Sequence, residues 1–343
     1  WLKPHAPRLI RRLVHPLVVP RTRLMASKES GPAGGAEVAY LAQYVDEKGL
    51  PTNGTVPIYR QPEGQEAVNP AGGQEQVSEV HELLSISWHL IEETGVGIAA
   101  YNTPGKLHCL APNQQMETFL VLEHAKRDPR VKAVVWTATG TRAFNSGAAL
   151  KGDMAWHVPE DVIELYRSRS MAPVGDMVLS AQTRAFWDFP KPLIMAINGA
   201  AVGGGANIAL ANFGDMVLCS KNARFMYPFA KLGLTPELGS SMTIPWLVGM
   251  AKAKELMMTG AWLSAEDALR LNLVNEICEP LDLLPKAVAL ATKAAAANPA
   301  TMKLMKQVMN FPLREHLDTV LKREQQTIMQ SIKASGGFKN AKL

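Results

Sequence analysis

The sequence predicts an α/β fold, and three observations support that class. Apolar runs typical of buried strands alternate with helix-compatible segments across residues 86–275. The chain has 343 residues, 47% of them hydrophobic, and is therefore long enough to bury a large core. Loops of glycine and other small residues follow two of the predicted strands. We expect one α/β domain with extensions at both ends.

Two segments precede the α/β region. Residues 1–28 contain seven Lys or Arg and no acidic residue, as a mitochondrial transit peptide does. Alternatively, residues 1–24 do not belong to the working protein, because Met25 followed by Ala-Ser-Lys is a suitable start and Trp1 is not. Residues 29–80 are rich in Gly, Pro, Gln and Glu, which predicts an extended or partly disordered arm.

Charge and composition argue against several classes of function. The formal net charge of +5 comes from the leader, because without its seven basic residues 29 basic residues stand against 31 acidic ones. We therefore predict no nucleic-acid partner. No apolar stretch is long enough to span a membrane. The chain has three widely spaced cysteines, an odd number that indicates no disulfide framework. None of its eight histidines forms an HxxxH or similar pair, so no metal site is predicted.

The first small-residue loop follows a strand predicted at residues 131–136. The loop runs over residues 139–152 and includes Ser146, Gly147, Ala148, Ala149, Leu150 and Lys151. A strand that ends in such residues can present backbone N–H groups to a ligand. Lys151 is either a contact for a ligand phosphate or an ordinary surface lysine.

The second loop is a glycine triplet between a strand and a helix. An apolar run at residues 193–197 predicts a buried strand, and Gly203, Gly204 and Gly205 precede a helix predicted at residues 206–211. Backbone N–H groups and the positive end of the helix then point at a ligand, where they can hold negative charge that appears on an oxygen. The alternative is a tight turn with no ligand.

Helices and a short signal are predicted at the C-terminal end. Apolar residues at three- and four-residue spacing predict helices at residues 283–297, 300–310 and 313–334. The last three residues, Ala341-Lys342-Leu343, differ by one conservative change from the Ser-Lys-Leu peroxisomal signal. We therefore expect a peroxisomal location with the import receptor as a partner; the basic leader leaves a mitochondrial location as the alternative.

A family resemblance joins these motifs with a third segment. Residues 223–241 contain Tyr227-Pro228-Phe229 and Pro236-Glu237. Together with the two loops, this segment resembles the crotonase (enoyl-CoA hydratase/isomerase) superfamily, in family order and spacing, over about residues 86–310. The resemblance implies a crotonase-like spiral of ββα repeats at residues 81–280. It also implies oligomerisation helices at residues 281–340, which pack on neighbouring subunits in a homotrimer or a dimer of trimers, before a peroxisomal-type signal at residues 341–343.

The resemblance further implies an acyl-CoA thioester as substrate, with coenzyme A as part of the substrate and no other cofactor. Backbone N–H groups of Ala148 and Gly204 would hold the thioester carbonyl and stabilise the enolate that forms when a neighbouring proton leaves. The family usually has Asp where this chain has Ala149. The substrate-binding residues that the resemblance implies are Ser146, Gly147, Ala149, Leu150, Lys151, Gly203, Asn207 and Phe229.

The acid and base positions distinguish reactions within that family. Hydratases of the family carry two glutamates, and the matching positions here are Asn207 and Phe229, neither of which exchanges a proton at neutral pH. The segment around Glu237 closely resembles the peroxisomal Δ3,Δ2-enoyl-CoA isomerases, which have their single catalytic glutamate there. This implies an isomerase of fatty acid β-oxidation. Alternatively, Pro236 and Glu237 only begin a helix.

Two other functions remain open at this point. One is an enoyl-CoA hydratase-like enzyme with a rearranged site, in which Asn207 orients water. The other is a non-catalytic, acyl-CoA-binding homologue that keeps only the fold. Glu237 argues against the second, since such a protein has no need of a carboxylate there.

Overall fold

Strands and helices alternate along the chain, as the apolar pattern predicts. The computed structural model describes residues 53–60, 76–149 and 177–335. The leader, most of the arm, Leu150, Lys151 and the C-terminal tripeptide lie outside these residues. The described strands are β1 (Thr55–Arg60), β2 (Gln76–Glu82), β3 (Ile86–Ile91), β4 (Val96–Tyr101), β5 (Ala133–Ala138), β6 (Ala143–Asn145), β7 (Leu193–Ile197), β8 (Ala200–Val202), β9 (Met216–Ser220), β10 (Arg224–Met226), β11 (Trp262–Ser264) and β12 (Glu276–Cys278). The described α-helices are α1 (Pro112–Arg127), α2 (Met177–Trp187), α3 (Gly204–Leu210), α4 (Ser240–Val248), α5 (Met250–Thr259), α6 (Ala265–Arg270), α7 (Leu283–Ala295) and α8 (Pro299–Ala334).

These strands form three sheets. A six-stranded sheet has the order β12-β9-β7-β5-β4-β3 and is parallel except for β3. A four-stranded sheet has the order β11-β10-β8-β6 and is parallel except for β11. The third sheet is the antiparallel pair β1 and β2. Part of the predicted arm is therefore a strand, and its Val56 is fully buried in the core.

The two larger sheets are built by a repeated pair of strands. In the pairs β5/β6, β7/β8 and β9/β10, the first strand joins the six-stranded sheet and the second joins the four-stranded one. A helix follows each pair: α2, α3 and α4 respectively. This repeat is the predicted ββα unit, and the mixed α/β class is confirmed.

The six-stranded sheet is covered on both faces. Helix α7 packs on one face, where Ala287 and Ala291 join Val135 and Ile194 in an apolar cluster. The other face carries Trp136 and the rest of the main core. Because both faces are covered, β5 and β7 are apolar along almost their whole length and fully buried. Within the residues described, no helix is long and apolar enough to cross a membrane.

Several element boundaries differ from the predictions. The strand predicted at residues 131–136 runs over Ala133–Ala138, because its pairing with β4 begins at Val96 opposite Ala133. Helix α3 begins earlier than predicted, at Gly204. The separate helices predicted at 300–310 and 313–334 are one continuous helix, α8, with Pro312 inside it.

Packing explains why α8 continues through its proline. Pro312 removes one backbone donor from the helix. The helix beyond it is nevertheless held, because Leu313, Leu317 and Leu321 are buried in a cluster with Trp187 of α2. Salt bridges of 2.7 Å from Arg184 of α2 to Asp318, and from Arg314 to Asp188, tie the same helix to α2 and the residue that follows it.

Candidate active site

Three loops meet at one edge of the four-stranded sheet. Strands β6, β8 and β10 are parallel neighbours, with Ala201 of β8 paired to Asn145 on one side and to Phe225 on the other. Their carboxyl ends therefore lie side by side. The loops that leave these ends carry, in order, Ser146 to Ala149, the glycine triplet, and the segment with Phe229 and Glu237. The topology thus brings the three sequence motifs to one place.

The first two loops touch through glycine. Gly147 has a positive φ of 83°, and a Cβ on it would lie 2.5 Å from the carbonyl oxygen of Val202. The same Cβ position is 3.5 Å from the backbone nitrogen of Gly204. Only glycine permits both the backbone angle and this contact. The Ser146–Ala149 backbone therefore lies directly against the start of α3.

Two backbone N–H groups are available where these loops meet. Leu110 and Ala148 form a parallel bridge in which Leu110 N–H donates to the Gly147 carbonyl over 2.8 Å and Ala149 N–H donates to the Leu110 carbonyl over 3.3 Å. The N–H of Ala148 therefore points away from Leu110. Gly204 is the first residue of α3, so its N–H has no acceptor within the helix. No hydrogen bond joins either N–H to another residue in the described part of the chain.

Asn145 fixes the backbone of the first loop through a hydrogen bond. This residue is fully buried at the end of β6, and its Oδ1 accepts a 2.9 Å hydrogen bond from Gly147 N–H. A Cβ on Gly205 would lie 2.2 Å from the Asn145 carbonyl oxygen, so the second loop packs against the same residue. Asn145 is not among the site residues predicted from the sequence; its position directly before Ser146 was the available signal.

His108 holds the segment that pairs with the first loop. Its Nδ1 accepts from Thr103 N–H over 3.0 Å, and its Nε2–H donates to the Thr139 carbonyl over 2.8 Å. Burial lowers the pKa of His108 to about 4, so the ring is neutral. Its backbone has a positive φ of 56°. His108 is therefore a positioning group, and the sequence pattern gave no sign of it.

The carboxylate of Glu237 lies against the glycine triplet. Its Oε1 is 2.9 Å from the position that a Cβ on Gly204 would take, and Leu110 Cδ1 is 2.8 Å from that same position. A side chain at residue 204 would therefore collide with both groups. Half-buried Glu237 thus reaches the site between the two loops.

The loop around Glu237 is held by its backbone. The Glu237 carbonyl accepts from the side-chain amide of Asn207 over 2.9 Å, and from Ser240 through both Oγ, over 2.7 Å, and N–H, over 3.0 Å. Leu238 follows with a positive φ of 59°, a strained angle for a residue of this type, and its side chain is buried in the core. The helix-start interpretation of Glu237 is wrong, because α4 begins only at Ser240 after two left-handed residues.

Asn207 and Phe229 occupy different surroundings. Asn207 is fully buried on α3. Its Nδ2 donates to the Glu237 carbonyl, and its Oδ1 has no hydrogen-bond partner among the described residues. Phe229 is buried in the core and stacks on Tyr227 with ring centroids 6.3 Å apart. Gly203 is tied to β10 by its N–H, which donates to the Met226 carbonyl over 2.9 Å.

The structure therefore brings most of the predicted site residues together, and two of them are not among the described residues. The grouped residues are Ser146, Gly147, Ala148, Ala149, Gly203, Gly204, Asn207 and Glu237. Phe229 is buried in the core, and Leu150 and Lys151 fall in the part of the chain that is not described. No three His, Cys, Asp or Glu among the described residues lie close enough to bind a metal ion. Two N–H donors beside one carboxylate can stabilise an oxyanion and move a proton.

This chain is similar to known proteins both in sequence and in structure. The sequence profile of the family described as enoyl-CoA hydratase/isomerase matches residues 92–339. A short-chain-enoyl-CoA hydratase of Clostridium acetobutylicum is 34% identical over 68% of this chain and 84% of its own length. A crotonyl-CoA hydratase of Syntrophomonas wolfei is 28% identical over 68% of this chain and 85% of its own. The crystal structure of an enoyl-CoA hydratase/isomerase from Pseudoalteromonas atlantica superposes with a TM-score of 0.64 at 28% identity, covering 75% of this chain and 95% of that one.

Proposed function

Because the chain belongs to the enoyl-CoA hydratase/isomerase family, within the crotonase superfamily, we propose that it is an isomerase. The proposed reaction shifts the double bond of a 3-enoyl-CoA to the 2-position, a step that unsaturated fatty acids need during β-oxidation. The substrate is an acyl-CoA thioester, and coenzyme A enters as part of it. Matching relatives are named hydratases, so the choice of isomerase depends on the residues of the site.

The proposed mechanism uses one carboxylate and two backbone donors. Glu237 takes a proton from C2, and the electrons of that C–H bond move into a dienolate whose oxygen accepts from Ala148 N–H and Gly204 N–H. The protonated Glu237 then gives the proton to C4 while the thioester carbonyl re-forms. The double bond is left between C2 and C3, and no atom is gained or lost.

The position of Glu237 is the observation that carries this proposal. Its Oε1 lies beside Gly204, whose N–H is one of the two proposed oxyanion donors. The two positions at which family hydratases have glutamates hold Asn207 and Phe229. Hydration needs one group to activate water and another to protonate carbon, whereas an isomerase returns the same proton to a second carbon. Among the residues that the structure describes, this site is assigned one carboxylate, which favours isomerisation.

A second candidate is a hydratase with a rearranged site. Two observations favour it: the two relatives named above are hydratases, and in the described part of the chain Asn207 Oδ1 is buried without a hydrogen-bond partner. Such an acceptor is suited to a water molecule, since buried polar atoms are normally hydrogen-bonded. In that reaction Asn207 would orient the water and Glu237 would remain the proton-exchanging group.

We also propose a homotrimer, or a dimer of trimers, located in the peroxisome. The terminal Ala341-Lys342-Leu343 supports recognition by the peroxisomal import receptor, while the basic leader supports the mitochondrial alternative. Exposed apolar side chains on α8 support assembly between subunits.

Product identification tests the proposed reaction. The purified protein is incubated with a 3-enoyl-CoA and, separately, with a 2-enoyl-CoA, and the products are separated by chromatography. An isomerase gives 2-enoyl-CoA from the first substrate and no 3-hydroxyacyl-CoA from the second. Formation of 3-hydroxyacyl-CoA from the 2-enoyl-CoA without isomerisation of the 3-enoyl-CoA would favour the hydratase. Binding without turnover of either substrate would point to the non-catalytic homologue.

A further inference from the structure

A buried carboxylate on the C-terminal helix reaches the loop that carries Glu237. Glu324 lies on α8 with only 5% of its surface exposed. Its Oε2 accepts from Gly239 N–H over 2.7 Å, and its Oε1 accepts from Ser241 N–H over 2.9 Å. Both bonds join residues more than 80 positions apart in the sequence. Each carboxylate oxygen thus accepts a hydrogen bond from a backbone N–H group two or four residues after Glu237.

These two bonds replace a helix cap that the local sequence does not provide. Gly239 is the N-cap of α4 and has no side chain to accept from the first turn. Its φ of 80° explains the glycine, because a capping Ser or Asp is disfavoured at that angle. The carboxylate from α8 binds the N–H groups that this leaves, at the end of the helix where negative charge is favoured.

Helix α8 also contacts the loop on both sides of Glu237. The Thr235 hydroxyl donates to Thr327 Oγ1 over 3.2 Å. Leu317 Cδ1 lies 3.1 Å from the position of a Cβ on Gly239. The chain is therefore fixed to α8 at residue 235 and again at residue 239, with Glu237 between them.

The backbone between these two anchors is strained. Leu238 has a left-handed φ of 59°, which a leucine adopts only where its surroundings hold it there. The next residue is Gly239, whose N–H donates a hydrogen bond to Glu324. If this bond is lost, Leu238 can return to an ordinary backbone angle, and that rotation moves the residue directly before it, Glu237.

We propose that Glu324 is a positioning residue that holds Glu237 in place for proton transfer. Glu324 binds the backbone of the loop that carries Glu237, so it acts on the reaction through Glu237. This inference rests on the proposed role of Glu237 as the proton-exchanging group. It predicts that Glu324 affects turnover more than substrate binding.

Variants of the full chain test this role. Glu324→Gln keeps the size of the side chain and one acceptor, whereas Glu324→Ala removes both acceptors. Glu315→Gln is the control, because Glu315 is an exposed carboxylate on the same helix. We expect kcat to fall about tenfold in Glu324→Gln and further in Glu324→Ala, since small displacements of a catalytic group are costly. KM should stay near the wild-type value, and the control should match wild type.

Amide hydrogen exchange gives a readout that does not depend on activity. In Glu324→Gln, exchange should be faster at Gly239 and Ser241 and unchanged in the sheets. Unchanged exchange at these two amides would overturn the proposal, as would faster exchange with a wild-type kcat. Faster exchange throughout the chain, with kcat and KM altered together, would make Glu324 merely structural and would also overturn it.

The same measurements separate this inference from the proposed function. If the protein proves to be a hydratase, kcat is taken for the reaction that Glu237→Gln abolishes, and the exchange result keeps its meaning. If Glu237→Gln abolishes no reaction, the inference is wrong whatever the exchange shows. Unchanged exchange in a working isomerase would refute the role of Glu324 alone.

Discussion

Gly204 illustrates how little space the site leaves at a single residue. A Cβ there would lie 2.8 Å from Leu110 Cδ1 and 2.9 Å from Glu237 Oε1. We predict that Gly204→Ala displaces the carboxylate and lowers kcat about 100-fold, because the proton-transfer geometry is lost. Gly105→Ala is the matched control, since a Cβ on Gly105 meets no atom within 4 Å. Steady-state kinetics of both variants check this, and equal activities would contradict it.

His108 makes a prediction about stability and pH. Its folded pKa of about 4 lies below the ordinary value of 6.5, so between those pH values the unfolded chain binds a proton that the folded protein does not. Stability is therefore lost as the pH falls through this window. Asn tolerates the left-handed backbone at this position and does not titrate, so His108→Asn should remove this contribution. From about pH 7 to about pH 5, the free energy of unfolding of the wild type should drop about 2 kcal/mol more than that of the variant.

Urea unfolding at the two pH values measures this difference. Comparison with the variant cancels the contributions of other groups, including His124, whose pKa is also lowered by burial. If the free energy of unfolding falls equally in the two proteins, protonation of His108 does not destabilise the fold, and the prediction is contradicted.

Sequence reasoning reaches some residues of this site and not others, for physical reasons. Gly204 and Ala148 belong to loops that directly follow apolar strands, so their roles have local signals. The contact of Glu324 with Gly239 depends on the path of α8 over the loop, which no local pattern carries. The strained angle of Leu238 is likewise imposed by tertiary contacts, because leucine has no preference for it.

At the scale of elements, α8 shows where pattern and structure differ. Pro312 predicts a break in the helix, because a proline in a helix interior removes a backbone hydrogen bond and clashes with the preceding turn. Packing of Leu313, Leu317 and Leu321 against Trp187 outweighs that local cost, and one helix results. In contrast, β7 agrees with its apolar run at both ends, because a strand covered on both faces needs apolar residues throughout.

The start of α8 gives an element-scale prediction. Asn298 is the N-cap, and its side chain accepts from Thr301 N–H over 3.0 Å. Asn298→Ala should lower the free energy of unfolding by about 1 kcal/mol, since the cap is lost. Asn298→Asp keeps the acceptor and adds a favourable charge, so it should be at least as stable as wild type. Denaturant unfolding compares the three proteins, and equal stabilities for Ala and Asn would contradict the role of the cap.

At the scale of the whole molecule, α8 presents an apolar surface to solvent. In its first half, the large apolar residues that are exposed are Leu304, Met305, Val308, Met309 and Phe311. The first four of these follow a spacing that places them on one side of the helix. Met309 is 72% exposed in the described structure, and contact with another subunit would bury it.

Charge on this surface should prevent assembly. We predict that the wild type has the mass of a trimer or hexamer, and that the double variant Val308→Glu and Met309→Glu has the mass of a monomer, because burying these charges is costly. Lys322→Glu, at an exposed residue farther along α8, is the control. Size-exclusion chromatography with light scattering measures the masses. A monomeric wild type, or a double variant that still assembles, would contradict the proposed oligomer.

The central claim is that Glu237 alone moves the proton, and one rate tests it most directly. Formation of 2-enoyl-CoA from 3-enoyl-CoA is measured for the wild type, Glu237→Gln and Asn207→Ala, after circular dichroism has shown that all three are folded. Glu237→Gln keeps the shape of the side chain but cannot take up a proton, so its rate should fall at least about 100-fold. Asn207→Ala removes only a hydrogen bond to the loop and should lose less. A Glu237→Gln variant that keeps the wild-type rate would contradict the claim.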